Sequence, residues 1–97
     1  MNQDNIQILK KNVLELLKDE EVKIILFGSR ARKDEVVCSD VDIGLIPKGE
    51  LDKKKVTLLR ELIENLNIPY RVDVVDFSNV SDEFKKEAML EIEVWKE

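Results

Sequence analysis

Asp40 and Asp42 have one residue between them, ten residues intervene between them and the pair Gly28-Ser29, and a further aspartate, Asp73, lies inside the apolar run 70–75. Residues i and i+2 of a strand point to one face, so Asp40 and Asp42 would bring two carboxylates within a few ångströms. Like charges that close repel unless a cation lies between them. Gly28-Ser29 closes the apolar run 22–27, where a short helix can begin. Free backbone N–H groups at a helix start suit a phosphate, which Gly28 lets approach closely and to which Ser29 adds a hydroxyl. Arg30, Arg32 and Lys33 add positive charge to the same segment. Taken singly, each feature has a plainer reading: a solvated strand end for the aspartates, a capped turn with a solvated basic helix for residues 28–33. Together they suit phosphate chemistry assisted by divalent cations, with three carboxylates bridged to a triphosphate. The Walker A pattern and the G-x-G-x-x-G dinucleotide pattern are both absent from the sequence.

These residues need elements to position them. Ile6, Leu9, Val13, Leu16 and Leu17 recur at helical spacing, which predicts a helix over 4–18 with Asp4 as its N-cap. Residues 22–27 read as a buried strand, 29–34 as a short helix, 35–39 as a loop, and 41–46 as a second strand stopped by Pro47 and Gly49. A long helix follows over 50–66, with Leu51, Val56, Leu59, Ile63 and Leu66 on one face. Pro69 separates it from a strand over 70–75. Ser81 caps a last helix over 82–90 with Phe84 and Ala88 inward, and Val94-Trp95 can add a short terminal strand. The expected class is α/β (α+β): a small mixed sheet flanked by helices, in the order α-β-α-β-α-β-α. If the first strand runs antiparallel to the second and the third parallel to it, Gly28-Ser29, Asp40, Asp42 and Asp73 converge at one end of the sheet. Asp76 has the opposite parity to Asp73 and sits at the strand exit, as a turn residue does.

Composition removes competing chemistries. The chain has 97 residues, enough for one domain spanning 1–97. It has no histidine and one cysteine, Cys38, so it can form neither a Ser-His-Asp triad nor a CxxC site. A lone cysteine fits a reducing cytoplasm. No apolar run approaches the ~20 residues of a membrane span, and the polar N-terminus lacks a signal-peptide pattern. With 16 Lys and Arg against 21 Asp and Glu, the net charge of -5 argues against binding nucleic acid through bulk charge.

Gly28-Ser29, the Asp40-x-Asp42 pair and a later strand aspartate resemble the DNA polymerase β-type nucleotidyltransferase superfamily. The short chain, Gly-Ser-Arg-Ala-Arg over 28–32 and Ser-Asp-Val-Asp-Ile over 39–43 are similar to the minimal nucleotidyltransferases, the antitoxin partners of HEPN-domain proteins. Lys33 departs from the glycine that many members carry there, which bears on the loop's path rather than on the chemistry.

The resemblance implies a nucleotidyltransferase fold and a Mg²⁺-dependent enzyme. Asp40 and Asp42 would bind two Mg²⁺ ions; Asp73 would bind the catalytic ion and help deprotonate the attacking hydroxyl. Gly28 and Ser29 would hold the β- and γ-phosphates of ATP, with Arg30 beside them and Arg32 offsetting their charge. The implied reaction moves AMP from ATP to a hydroxyl, a tyrosine, of a HEPN-type toxin and silences it. The chain would act in the cytoplasm within a hetero-oligomer or as a homodimer, with no direct contact to nucleic acid or membrane. Two alternatives stand beside this: an antitoxin acting by contact alone, and a nucleotidyltransferase whose acceptor is a small molecule or RNA.

Overall fold

The computed structural model describes residues 2–28 and 41–97. Its centre is a four-stranded mixed sheet in the order β3-β2-β1-β4. The strands are β1 (Val22–Phe27), β2 (Val41–Pro47), β3 (Val72–Asp76) and β4 (Glu93–Lys96). β1 runs antiparallel to β2 and to β4, and β3 runs parallel to β2. These are the strand directions that bring the end of β1 beside the starts of β2 and β3.

The alternation of side chains along β1 and β2 divides the interior into two layers. On one face, Val22, Ile24 and Leu26 of β1 and Val41, Ile43 and Leu45 of β2 meet two helices, α1 (Asn2–Leu16) and α2 (Lys53–Asn65). α1 supplies Leu9 and Val13, followed by Leu17 in the turn after it, and α2 supplies Val56, Leu59 and Ile63. Each set recurs at three- or four-residue intervals and so forms a single apolar stripe. Trp95 of β4 is buried in the same layer, and its indole N–H donates to Glu93 Oε2 at 3.0 Å. On the opposite face lie Ile25, Phe27 and Phe77, covered by partly buried residues that include Val75, Ala88, Met89 and Ile92. Phe77 opens a 3₁₀ turn (Phe77–Asn79) that leads to α3 (Asp82–Ala88).

Local chemistry sets the element ends. Asp52, extended at φ -67°, caps α2 by accepting from the Lys54 N–H at 2.9 Å, so this helix starts later than the apolar spacing predicts. After α2 the chain passes through Asn67 at φ 53°, a left-handed conformation that asparagine tolerates. Asp76 accepts from the Ser78 N–H at 2.9 Å and is the turn residue expected at the exit of β3. Ser81 caps α3, its hydroxyl oxygen accepting from the Phe84 N–H at 3.1 Å. Lys96 Nζ donates to the carbonyls of Glu20 and Val22 at 3.0 and 3.2 Å, which ties the terminal strand to the turn before β1.

Two further expectations change. α1 begins at Asn2, so Asp4 lies within the helix rather than at its cap. Phe84 is 42% exposed, although its ring still packs edge-to-face on Phe27 and Phe77. The short helix expected over 29–34 and the loop over 35–39, with Cys38, lie outside the described residues.

Candidate active site

Strand register assembles the site. Phe27, the last residue of β1, pairs with Asp42 on β2, and Asp42 pairs with Asp73 on β3. Paired residues on neighbouring strands point to the same side, and neighbouring strands lie about 4.7–4.9 Å apart. Asp42 and Asp73 therefore stand side by side on the sheet face that also carries Phe27 and Ile25. Asp42 is half-buried, and the Asp73 side chain is 41% exposed. Both carboxylates look out from one end of the sheet instead of being sealed in it.

Gly28 comes directly after Phe27 and has φ +80°, a conformation that side-chain-bearing residues rarely adopt. A Cβ placed there would collide with Asp42 Oδ2 and lie 3.4 Å from Asp42 Cγ. The backbone at the end of β1 thus runs directly over the Asp42 carboxylate, which only glycine permits. Two residues further along β2, Gly44 serves packing. Its missing side chain leaves room for Phe77 and Ile25, which a Cβ would approach to 2.7 and 2.9 Å. That packing holds the site face of the sheet in place. Phe27 is further fixed by edge-to-face contacts with Phe77 and Phe84, at ring centroid distances of 5.4 and 6.2 Å.

Arg71, just before β3, places its Nε 3.4 Å from Asp73 Oδ1, and its carbonyl accepts from the Val41 N–H at 2.9 Å. Its side chain is 75% exposed, so the ion pair contributes little to stability but does offset charge at Asp73. Arg71 belongs to no motif in the sequence; its i, i+2 spacing to an oppositely charged residue is the signal that marks it. On the other side of β3, Arg60 of α2 donates from Nη2 to the Val74 carbonyl at 3.0 Å and so occupies the outer edge of the strand.

Of the residues singled out in the sequence, the structure brings Gly28, Asp42 and Asp73 together. Ser29, Arg30, Arg32 and Asp40 lie outside the described residues. Among the described residues no three acidic, thiol or imidazole groups gather as a metal site. The pair present nonetheless fits a hard divalent cation: two carboxylates on adjacent strands, at one end of the sheet, beside a backbone with no side chain in the way. Lys53 and Lys54 in the first turn of α2 face solvent, and Trp95 belongs to the core. No helix among the described residues is long and apolar enough to cross a membrane.

Comparison with known proteins gives the family and the fold. Residues 6–95 match the family model described as polymerase beta, nucleotidyltransferase. The chain is 29% identical over 83 residues to the probable protein adenylyltransferase MntA of Haemophilus influenzae, covering 86% of this chain and 71% of that one. Among solved structures it is similar to a toxin–antitoxin complex with AMP-PNP, with a TM-score of 0.66 and 24% identity over 89% of this chain and 71% of the other. It is also similar to a chain in the complex of a tri-AMPylated Shewanella oneidensis HEPN toxin with an MNT antitoxin. There the TM-score is 0.63 and the identity 23%, over 98% of this chain and 71% of the other.

Proposed function

Because the chain belongs to the polymerase beta nucleotidyltransferase family, we propose that it transfers AMP from ATP to a tyrosine hydroxyl of a HEPN-domain toxin and so acts as its antitoxin. The observation that carries this reading is the pairing of Asp42 with Asp73 on one face, beside the bare backbone of Gly28. The relatives point the same way: one is named a protein adenylyltransferase, and one solved complex holds an AMPylated HEPN toxin.

In this reading the acceptor oxygen bonds to the α-phosphorus, the bond from that phosphorus to the β-phosphate oxygen breaks, and pyrophosphate leaves. Asp73, whose side chain is 41% exposed, receives the hydroxyl proton. Asp40 and Asp42 would hold Mg²⁺, with Asp73 also on the catalytic ion, and the metal when bound would supply positive charge against the phosphates. Gly28 and Ser29 hold the β- and γ-phosphates, with Arg30 and Arg32 adding positive charge. The protein's own share is mainly positioning and electrostatics, which needs no histidine. The net charge of -5 suits a basic protein partner better than RNA.

The test mixes the protein with a HEPN-domain protein from the same genome, ATP and Mg²⁺, and weighs the partner by mass spectrometry. One or more AMP additions mapped to tyrosine, absent with Asp42→Asn, are expected. A partner that is bound and inhibited yet unmodified would establish an antitoxin acting by contact alone.

A further inference from the structure

A cavity of about 250 Å³ opens on the site face next to Gly28, between the end of β1 and the last turn of α3. Phe27, Phe84 and Ala88 give it apolar walls, and Glu87 and Glu91 are the ionisable residues among its described lining. The volume lies just under the roughly 300–1,000 Å³ of pockets that hold drug-sized ligands, which suits one planar ring system rather than a whole nucleotide. Glu87 and Glu91 repel phosphate, whereas the Gly28 end borders the Asp42 site proposed above to hold Mg²⁺, so the anionic end of a nucleotide belongs at that end and its uncharged end here. Phe84 is 42% exposed, with its ring buttressed edge-on by Phe27 and Phe77. A supported, uncovered aromatic ring is a stacking surface for a base.

We propose that this cavity holds the nucleobase, with Phe84 stacked on it and Glu87 and Glu91 selecting a base that carries an exocyclic amine. The proposal rests on the nucleotidyltransferase reading above and adds the base-specificity determinant to it. An ionised carboxylate only accepts hydrogen bonds. The 6-amino group of adenine donates to it, whereas the 6-oxo group of hypoxanthine sets acceptor against acceptor. Both glutamates are exposed, so water takes the place of the lost bond and the discrimination is limited to about tenfold.

The test measures binding of ATP, ITP and inorganic tripolyphosphate, each with Mg²⁺, by calorimetry on the intact chain. Wild type is expected to bind ATP about tenfold more tightly than ITP. Glu87→Gln combined with Glu91→Gln should erase that preference without weakening tripolyphosphate binding. Ala88→Phe, which fills the cavity, should weaken ATP and spare tripolyphosphate. Melting curves confirm that each variant is folded. Tripolyphosphate binding with ATP and ITP equal in wild type, or a preference untouched by both variants, overturns the cavity assignment while the phosphate site stands. Failure of all three ligands to bind overturns the nucleotidyltransferase site itself, and the cavity assignment with it.

Discussion

Gly28→Ala tests the close approach between the end of β1 and Asp42. At φ +80° an alanine pays about 1–2 kcal/mol for a left-handed backbone. The stiffer unfolded chain returns about 0.4–1 kcal/mol, leaving a net cost of about 1 kcal/mol. The new Cβ also collides with Asp42 Oδ2. Relief comes from rotating the carboxylate off its rotamer, which costs about 0.5–1.5 kcal/mol. The total is about 2 kcal/mol, or a fall in Tm of roughly 10 °C for a domain of this size. Urea denaturation of Gly28→Ala, Asp42→Ala and the double variant separates the two parts. With the Asp42 carboxylate gone, adding Gly28→Ala should cost only the backbone share, about 1 kcal/mol, so the pair is coupled by about 1 kcal/mol. Transfer should suffer more than stability, because a carboxylate displaced by about 1 Å costs on the order of 100-fold in rate. Additive energies in the double variant, or a Gly28→Ala protein with wild-type stability and transfer, would refute the close approach.

Three further outcomes follow from the same structure. Gly44→Ala forces a Cβ against Phe77 and Ile25 at 2.7 and 2.9 Å, and overpacking of this kind should destabilise by about 1–3 kcal/mol in thermal melts. Ser81→Ala removes the cap on α3 and should cost about 1 kcal/mol by urea denaturation. Asp42→Asn keeps shape and removes one of two adjacent like charges. The metal-free protein should stay folded in thermal melts while transfer is lost; unfolding would instead mark Asp42 as a structural residue.

Local rules made much of the fold legible. The apolar runs 22–27 and 41–46 became β1 and β2 because short, bounded apolar stretches suit strands buried on both faces. Asp73 stood out because a carboxylate within an apolar strand needs a reason to be there, and the register sets it beside Asp42. Several features were not legible because they depend on contacts between distant residues. The need for glycine at position 44 comes from Phe77, thirty-three positions further on. The partial exposure of Phe84 follows from how α3 seats on β1, which its apolar spacing does not encode. The later start of α2 was readable, since Asp52 is a cap residue directly before the lysine run, but the apolar stripe reached past it.

The two faces of the sheet are unequally secured. Among the described residues, thirteen buried apolar side chains lie on the α1–α2 side, against three on the side that carries Asp42 and Asp73. α3 itself contributes no buried residue. Opening free energies follow buried apolar contacts, so α3 belongs to a unit that can lift from the sheet without global unfolding. Its amides should exchange with solvent well before those of β1 and β2. The strands that carry the aspartates are then held by the far layer, while the wall over Phe27 can breathe. Such a division lets this side of the molecule accept substitutions in α3 with little penalty to the scaffold, so the contour above the carboxylates can diversify while the carboxylates stay fixed.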